Sequence, residues 1–335
     1  MHSACKKDEP TKPLGEFENA VFVVNEGNFT AGNASLTYFN YTNSETSQQV
    51  FYRKNNTPLG DVANSISFDD ESIYIVVNNS HVVYKLDAKT ALYQAKINQL
   101  TSPRHFLKID DQNALISDLY ENNLSLVNPQ NMELISKIPI GRTSENLLLH
   151  NDEVFITNWS AYNQDKINNA VLVLKTESMK ITDSIQVGLE PNSTVVDKNN
   201  NLWVLCSGGF MNDEYPSLWK INSNNKQIIM KYEFEDITTS PTNLKINSTG
   251  DSLFFLNINV YSMSINDSQL PEEYFIKAEE GINIYSIGLS PKSNIYLTDA
   301  NDYNRNGEVF RYSPTGILKE TFSAGIIPGA IGFKP

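Results

Sequence analysis

Ala20–Asn25 reads AVFVVN, and the same kind of short apolar stretch returns six more times along the chain. The other copies are SIYIVVN (72–78), ALISD (114–118), EVFITN (153–158), NLWVLC (201–206), SLFFLN (252–257) and NIYLTD (294–299). Polar tight turns such as Asp69-Asp70-Glu71 precede the copies, with another short strand before the turn, as in a β-hairpin. Two further strands follow, for example Ala170–Leu174 and Lys180–Gln186. A four-strand repeat of roughly 40 to 50 residues predicts an all-β chain, a seven-bladed β-propeller of four-stranded antiparallel blades.

The two ends of the chain complement each other. The first repeat opens directly on its second strand, and Ile331–Lys334 (IGFK), after the last repeat, matches the pattern of the missing inner strand. We therefore expect the C-terminal strand to complete the first blade and close the ring, so that no sheet edge stays open there. The predicted organisation is a leader and tether over residues 1–19 and one propeller over residues 20–335.

The composition fits one closed ring and excludes some partners. With 335 residues, of which 40% are hydrophobic, the chain can bury a large core. The net charge of −13 disfavours nucleic acid and anionic membrane surfaces, because phosphate binding and polybasic anchoring both need basic residues.

The two cysteines have different surroundings. Cys206 lies in a predicted buried strand, where a small apolar residue fits. Cys5 follows Ser3-Ala4, which resembles the end of a bacterial lipobox, and the next residues, Lys6-Lys7-Asp8-Glu9, resemble the export signal of Bacteroidetes surface lipoproteins. These resemblances imply a lipidated Cys5, a location on the outer face of the outer membrane, and a lipid anchor as the contact with the membrane.

Long loops between second and third strands are the richest candidates for binding. In a propeller these loops share one rim with the loops that join successive blades, and variable loops on a rigid scaffold carry binding residues. Aromatic rings and amides alternate there, in a set of candidate ligand residues: Asn25, Asn28, Phe29, Asn158, Trp159, Tyr162, Phe210, Tyr215, Tyr303 and Asn304. Such a surface suits a large neutral ligand with amides or hydroxyls, and both a corrinoid and an oligosaccharide meet that description.

The loops that join successive blades add charged candidates at the channel mouth. Arg104 and Arg142 lie in them, with Asp61, Glu145 and Glu190, and Arg305 lies in a loop between second and third strands. A guanidinium there could hold a phosphate such as that of the cobalamin nucleotide loop. The alternative is an ion pair that joins adjacent blades, and we expect this for Arg142 and Glu145.

The sequence gives little support for catalysis or metal binding. His81, His105 and His150 fall in different blades, and no nucleophile motif or metal-ligand cluster is present, so we expect a non-enzymatic protein without cofactor or metal. A propeller lyase, with His105 acting beside a Glu, stays open as an alternative. Asp302–Gly307 (DYNRNG) has the alternation of a calcium loop but lacks the closing Glu, and we interpret it as a turn.

Several stretches resemble a known family. They are VFVVNEGN (21–28), Ser35–Asn40, LTDANDY (297–303), GEVFRY (307–312) and AGIIPG (324–329). The chain resembles the Bacteroidetes branch of the YncE-like, YVTN-type propellers, which includes surface lipoproteins that capture cobalamin. This resemblance implies a surface propeller that binds a corrinoid, cobalamin or cobinamide, and passes it to a TonB-dependent transporter. A glycan- or protein-binding adhesion propeller is the competing interpretation.

Overall fold

Seven antiparallel β-sheets form in the part of the chain that a computed structural model describes, residues 14–159 and 167–334. Counted from the centre outward, the strands of the seven blades are as follows: β27 (Pro328–Phe333), β1 (Ala20–Asn25), β2 (Ser35–Asn40) and β3 (Glu45–Ser47) in blade 1; β4 (Ala63–Phe68), β5 (Ser72–Val77), β6 (Val82–Asp87) and β7 (Tyr93–Ile97) in blade 2; β8 (Pro103–Lys108), β9 (Ala114–Asp118), β10 (Asn123–Asn128) and β11 (Glu133–Pro139) in blade 3; β12 (Leu147–His150), β13 (Glu153–Ile156), β14 (Ala170–Lys175) and β15 (Lys180–Gln186) in blade 4; β16 (Pro191–Val196), β17 (Asn201–Cys206), β18 (Ser217–Asn222) and β19 (Ile228–Glu233) in blade 5; β20 (Thr242–Ile246), β21 (Ser252–Asn257) and β22 (Asn259–Ser264) in blade 6; and β23 (Ile284–Leu289), β24 (Ile295–Asp299), β25 (Asn306–Tyr312) and β26 (Leu318–Ile326) in blade 7.

The blades close into a ring around a central channel. The inner strand of each blade contacts the inner strand of the next, and β23 of blade 7 contacts β27 of blade 1. β27 pairs with β1 in an antiparallel register that sets Val21 opposite Phe333 and Val23 opposite Ile331. The seven-bladed propeller and its closure by the C-terminal strand are therefore confirmed.

The core lies between blades, as seven apolar layers. In β1, Phe22 and Val24 pack toward blade 2, whereas Val21 and Val23 pack toward blade 7. The second strand of each blade has an apolar central run because both of its faces are buried in this way. Cys206, at the end of β17, is buried in the layer between blades 4 and 5, as predicted.

Three local departures interrupt the repeat. Blade 6 has three strands, and the place of its fourth is taken by a bridge in which Val260 and Ile276 exchange backbone hydrogen bonds at 3.0 and 3.1 Å. After β3 the chain forms a short helix, α1 (Val50–Asn55), which buries Val50 and Phe51, and a single 3₁₀ turn, Asn78–Ser80, follows β5. No helix in the described ranges has the length and apolar character needed to cross a membrane.

The propeller has two different rims. We call the upper rim the one that carries the loops between second and third strands and the loops that join successive blades. The lower rim carries the turns between first and second strands, such as that around Asp110, whose carboxylate accepts hydrogen bonds from the backbone of Gln112 and Asn113. These short capped turns leave the upper rim as the variable face of the molecule.

Candidate ligand site at the channel mouth

A cavity of about 800 Å³ opens where the central channel meets the upper rim. All seven blades line it, because the inner strands converge on the axis and begin at this rim. One lining residue at or near the start of the inner strand can be named for each of blades 1 to 7, in order: Ala330, Asn64, Arg104, Asn146, Asn192, Asn243 and Tyr285. The cavity, which we call the mouth cavity, falls in the size range of small-molecule sites.

Amides and hydroxyls form much of its wall, and bonds between blades hold them in place. The Asn64 amide and the Ser65 hydroxyl both donate to the carbonyl of Arg104, each at 2.7 Å. The Asn192 amide donates to the carbonyl of Pro241 at 2.9 Å. An amide has two donor hydrogens and an oxygen with two lone pairs, so these side chains keep capacity for a ligand after fixing the wall.

Glu145 organises the charges of the mouth cavity. Its Oε2 accepts a hydrogen bond from Nε of Arg104 at 2.7 Å, and its Oε1 lies 3.4 Å from Nε2 of His105. Burial alone would raise the pKa of Glu145, but the Arg104 guanidinium and His105 hold that pKa at about 2. The carboxylate is therefore ionised and committed to its neighbours across the working pH range.

This pairing corrects the expectation for Arg142. Glu145 pairs with Arg104 and His105, and Arg142 does not line the mouth cavity. Burial lowers the pKa of the Arg142 guanidinium, and its Nη1 atom has no hydrogen-bond partner in the described part of the chain.

Two further carboxyl groups face the mouth cavity in less polar surroundings. Burial raises the pKa of Glu26, against the effects of a hydrogen bond from Tyr285 and the charge of Arg104. Burial also raises the pKa of Glu190, whose Oε2 accepts a hydrogen bond from the Ser207 hydroxyl at 3.2 Å. Asp61 lies apart from this group, since it accepts hydrogen bonds from the Thr30 backbone and the Asn79 side chain.

Two of the predicted aromatic residues line the mouth cavity. The Trp159 ring lies with its centroid 5.9 Å from the Arg104 guanidinium carbon, a distance typical of a cation–π contact. Phe210 stands at the edge of the cavity with 88% of its surface exposed. Phe210 therefore presents an exposed aromatic surface at the edge of the cavity.

Other predicted residues lie on the upper rim beyond the cavity. Tyr303 packs edge-on against Tyr285 with ring centroids 6.0 Å apart, and Asn28 donates to the carbonyl of Tyr303 at 2.6 Å. Phe29 and Tyr215 are exposed on the same rim.

Two of the predicted ligand residues, Asn25 and Asn158, are buried and hydrogen-bonded within the fold. Asn25 is buried: its amide nitrogen donates to the hydroxyls of Ser35 and Thr37, and its oxygen accepts from the backbone of Gly325. Asn158 is likewise buried, and its amide donates to Thr143 at 2.7 Å. These placements correct the expectation that Asn25 and Asn158 contact a ligand, because neither side chain reaches the surface.

The Asp302 loop is a self-contained turn. The Asp302 carboxylate accepts from the backbone of Asn304 and Arg305, and from Nε of Arg305 at 2.9 Å. Arg305 and Asn304 are thus engaged within the loop. In the described ranges no group of three or more His, Cys, Asp or Glu residues could hold a metal ion. Cys5 and Tyr162 lie outside the described residues.

The sequence interpretation missed much of the wall, including Glu26, Asn64, Asn192, Asn243, Lys245 and Tyr285. A usable signal exists, because four inner strands begin at a Pro or directly after one, and the residues that follow this Pro line the cavity. These runs are Pro103-Arg104-His105, Pro191-Asn192-Ser193, Pro241-Thr242-Asn243 and Pro328-Gly329-Ala330.

Comparison with known proteins identifies a family and a fold. The model of a family described as "Domain of unknown function (DUF5074)" matches residues 19–306. No curated protein matches the chain.

Solved structures share the architecture at low sequence identity. A quinonprotein alcohol dehydrogenase-like protein from Bacteroides thetaiotaomicron has 17% identity and a TM-score of 0.74, over 96% of this chain and 79% of that one. A functionally unknown protein from Desulfotomaculum acetoxidans has 14% identity and a TM-score of 0.70, over 94% and 99%. A streptogramin B lyase has 11% identity and a TM-score of 0.62, over 80% and 86%. At these identities the likeness is one of fold.

Proposed function

This chain belongs to the DUF5074 family, and we propose that it is a surface lipoprotein that captures a small molecule, most simply a corrinoid, in the mouth cavity. The observation that carries the proposal is the combination in one cavity of about 800 Å³ of exposed aromatic surface with a wall of fixed amides and hydroxyls. A corrinoid presents an apolar ring edge fringed by carboxamides. Trp159 and Phe210 would contact the ring, and Asn64, Asn192 and Asn243 would bind the carboxamides.

We propose that the protein binds its ligand without catalysis, because Glu145, the carboxylate beside His105, is a poor proton acceptor. A general base works best with a pKa near the operating pH. The pKa of Glu145 is about 2, since Arg104 and His105 stabilise its ionised form.

The remaining steps of the proposal rest on the leader. Lipidation at Cys5 would anchor the propeller to the outer membrane, and the captured corrinoid would pass to a TonB-dependent transporter. Expression behind a lipoprotein signal peptide tests the anchor. The unaltered chain should be found in the membrane fraction, whereas the Cys5→Ala chain should be lost from it.

An absorbance titration of the purified chain with cyanocobalamin and cobinamide tests the ligand, because corrinoid bands shift on binding. We expect saturable binding that weakens about tenfold or more in Trp159→Ala and Phe210→Ala, since each removes an aromatic contact surface. Tyr52→Ala is the matched control, because Tyr52 is an exposed aromatic residue on α1, away from the mouth cavity. Failure of both corrinoids to bind at micromolar concentration would reject this ligand, and a glycan array would then test the oligosaccharide interpretation.

A lyase is the second candidate, favoured by one observation. His105 lines the mouth cavity with its Nε2 atom 3.4 Å from Oε1 of Glu145, so a histidine oriented by a carboxylate faces the space a substrate would occupy. If the chain turns over a bound ligand and His105→Ala abolishes that turnover while binding persists, the lyase replaces the capture protein.

A further inference from the structure

Lys245 occupies an unusual place in the mouth cavity. Inner strands run from the upper rim downward, so the last lining residue of each strand lies deepest. For four blades these deepest residues are Ile66, Lys245, Ile287 and Ile331. The floor on this side is therefore apolar except for one lysine, in β20 of blade 6.

The charge of Lys245 is uncompensated. In the described ranges no carboxylate lies within 4.0 Å of its ammonium group, whereas Arg104 at the mouth has Glu145 at 2.7 Å. Burial lowers the pKa of Lys245, and no neighbouring charge contributes to that shift. Moving an ammonium group out of water without a counter-charge has an unfavourable free energy, and no interaction within the described part of the protein offsets it.

The carboxylates of the same cavity are engaged elsewhere. Glu145 pairs with Arg104, Glu190 accepts a hydrogen bond from Ser207, and Glu26 accepts one from Tyr285. None of them contributes to the electrostatics of Lys245. The anion that would complete this site is therefore absent from the described part of the protein itself.

A second donor stands on the same strand. The Thr242 hydroxyl accepts a hydrogen bond from the Asn243 amide at 3.2 Å, which leaves its own hydrogen free to donate. A register shift between Thr242 and Lys245 allows Thr242, Asn243 and Lys245 all to line the cavity.

We infer that Lys245 binds an oxyanion of the captured ligand, a phosphate or a carboxylate, at the floor of the mouth cavity. The inference rests on the proposed function in one respect, namely that the ligand enters this cavity. A cation among apolar side chains gains most from an anion, because the pair forms in a site of low polarity and the hydrogen bonds are charge-assisted.

The test compares anion binding by three variants of the full chain at fixed ionic strength, with calorimetry and inorganic phosphate or acetate as probes. Lys245→Met should weaken binding of the preferred anion about tenfold or more, and Lys245→Arg should retain most of it. Lys319→Met is the control, because it removes the same charge from an exposed lysine. Tighter binding of phosphate assigns the phosphate class, and tighter binding of acetate assigns the carboxylate class.

Three outcomes overturn the inference: no binding of either anion to the unaltered chain, equal weakening by Lys245→Met and Lys319→Met, or no effect of Lys245→Met. Thermal unfolding separates binding from a structural role. The melting temperature of Lys245→Met should equal or exceed that of Lys319→Met, because a partly buried charge without a counter-charge is removed; a lower value would make Lys245 a structural residue.

The corrinoid proposal and the oxyanion site can fail independently of each other. Cobalamin carries a phosphate in its nucleotide loop and cobinamide lacks it, so Lys245→Met should weaken cobalamin more than cobinamide. If neither corrinoid binds but anion binding depends on Lys245, the corrinoid proposal fails and the oxyanion site stands. If both corrinoids bind the variant as tightly as the unaltered chain and phosphate does not compete, the oxyanion site fails and the corrinoid proposal stands.

Discussion

At the scale of single residues, Glu145 is the one on which the geometry of the mouth cavity depends most. It is 8% exposed and joins two residues of the neighbouring blade, Arg104 and His105, to the loop that leads into blade 4. Glu145→Gln should lower the free energy of unfolding by about 3 kcal/mol at pH 7, because it leaves a buried guanidinium without its counter-charge. Urea denaturation measures this, with Glu177→Gln in an exposed turn as the control. A loss no larger than that of the control would mean that the ion pair adds nothing to stability.

The same carboxylate predicts how stability depends on pH. The pKa of Glu145 falls from its ordinary value of 4.5 to about 2 on folding, so its ionised form is favoured in the folded state. Its contribution, about 3 kcal/mol, is therefore complete above pH 4.5 and disappears as the pH falls toward 2. The difference in unfolding free energy between the unaltered chain and Glu145→Gln should shrink over that window. A difference that stays constant from pH 6 to pH 2.5 would contradict the assigned pKa.

Residue positions were the hardest feature to predict from the sequence. Asn25 and Asn158 look like rim residues because each ends a predicted second strand, yet both turn inward: Asn25 bonds to Ser35 and Thr37 of β2, and Asn158 bonds to Thr143 in the loop before β12. Lys245 could not be recognised, because a lysine in a half-exposed strand looks the same whether it faces solvent or the channel. The sequence period shows which strand is innermost, but the β-bulge between Thr242 and Lys245 decides which side chains face the axis.

At the scale of elements, the prediction was most accurate where burial is greatest. Four second strands, β1, β9, β17 and β21, have the predicted limits, because both faces of their central residues are buried and this gives each strand a clear apolar run. Outer strands such as β19 are exposed and show little hydrophobic alternation, so the sequence could not show that blade 6 lacks its fourth strand. The helix α1 was missed because six residues are too few to show helical periodicity.

The loop between β17 and β18 allows a prediction at this scale. Gly208 has φ +87°, and a Cβ there would lie 2.3 Å from the carbonyl oxygen of Glu214, within the loop that presents Phe210. Gly208→Ala should therefore destabilise the protein by about 1–3 kcal/mol more than Gly32→Ala, and weaken ligand binding by displacing Phe210. Gly32 is the matched control, because its φ is +63° and a Cβ there meets no atom within 4 Å. Urea denaturation and the corrinoid titration measure the two effects; equal stability losses would show that backbone strain alone, without the clash, limits this loop.

At the scale of the whole molecule, stability depends on how the ring is closed. Each blade packs on two neighbours through apolar layers, and blade 1 is assembled from both ends of the propeller. Backbone and side-chain nitrogens of Lys334 donate to the carbonyls of Ala20 and Phe17, at 3.2 and 2.9 Å. The first and last strands are thus held in one sheet, so the ring opens only if a ladder of backbone hydrogen bonds breaks.

This closure can be moved to another blade by circular permutation. Residue 334 can be joined to residue 17 through a short Gly/Ser linker, since the two already touch, and the chain can be opened between Asp111 and Gln112 in the lower-rim turn of blade 3. β8 then becomes the C-terminal strand and pairs with an N-terminal β9, as β27 pairs with β1 in the natural order. We expect cooperative urea unfolding with a free energy within about 2 kcal/mol of the unpermuted residues 14–335, and unchanged ligand affinity.

The control permutant opens the chain at Gly141, in the exposed loop between blades 3 and 4. Both of its ends then lie between complete blades, so no strand pairing bridges the opening and only side-chain packing holds blades 3 and 4 together. This permutant should unfold at a lower urea concentration than the one opened in blade 3, because local separation of two blades exposes an apolar layer without breaking a β-ladder. Equal stability of the two permutants would mean that interblade packing suffices, and that the shared first blade is a consequence of chain order and does not stabilise the ring.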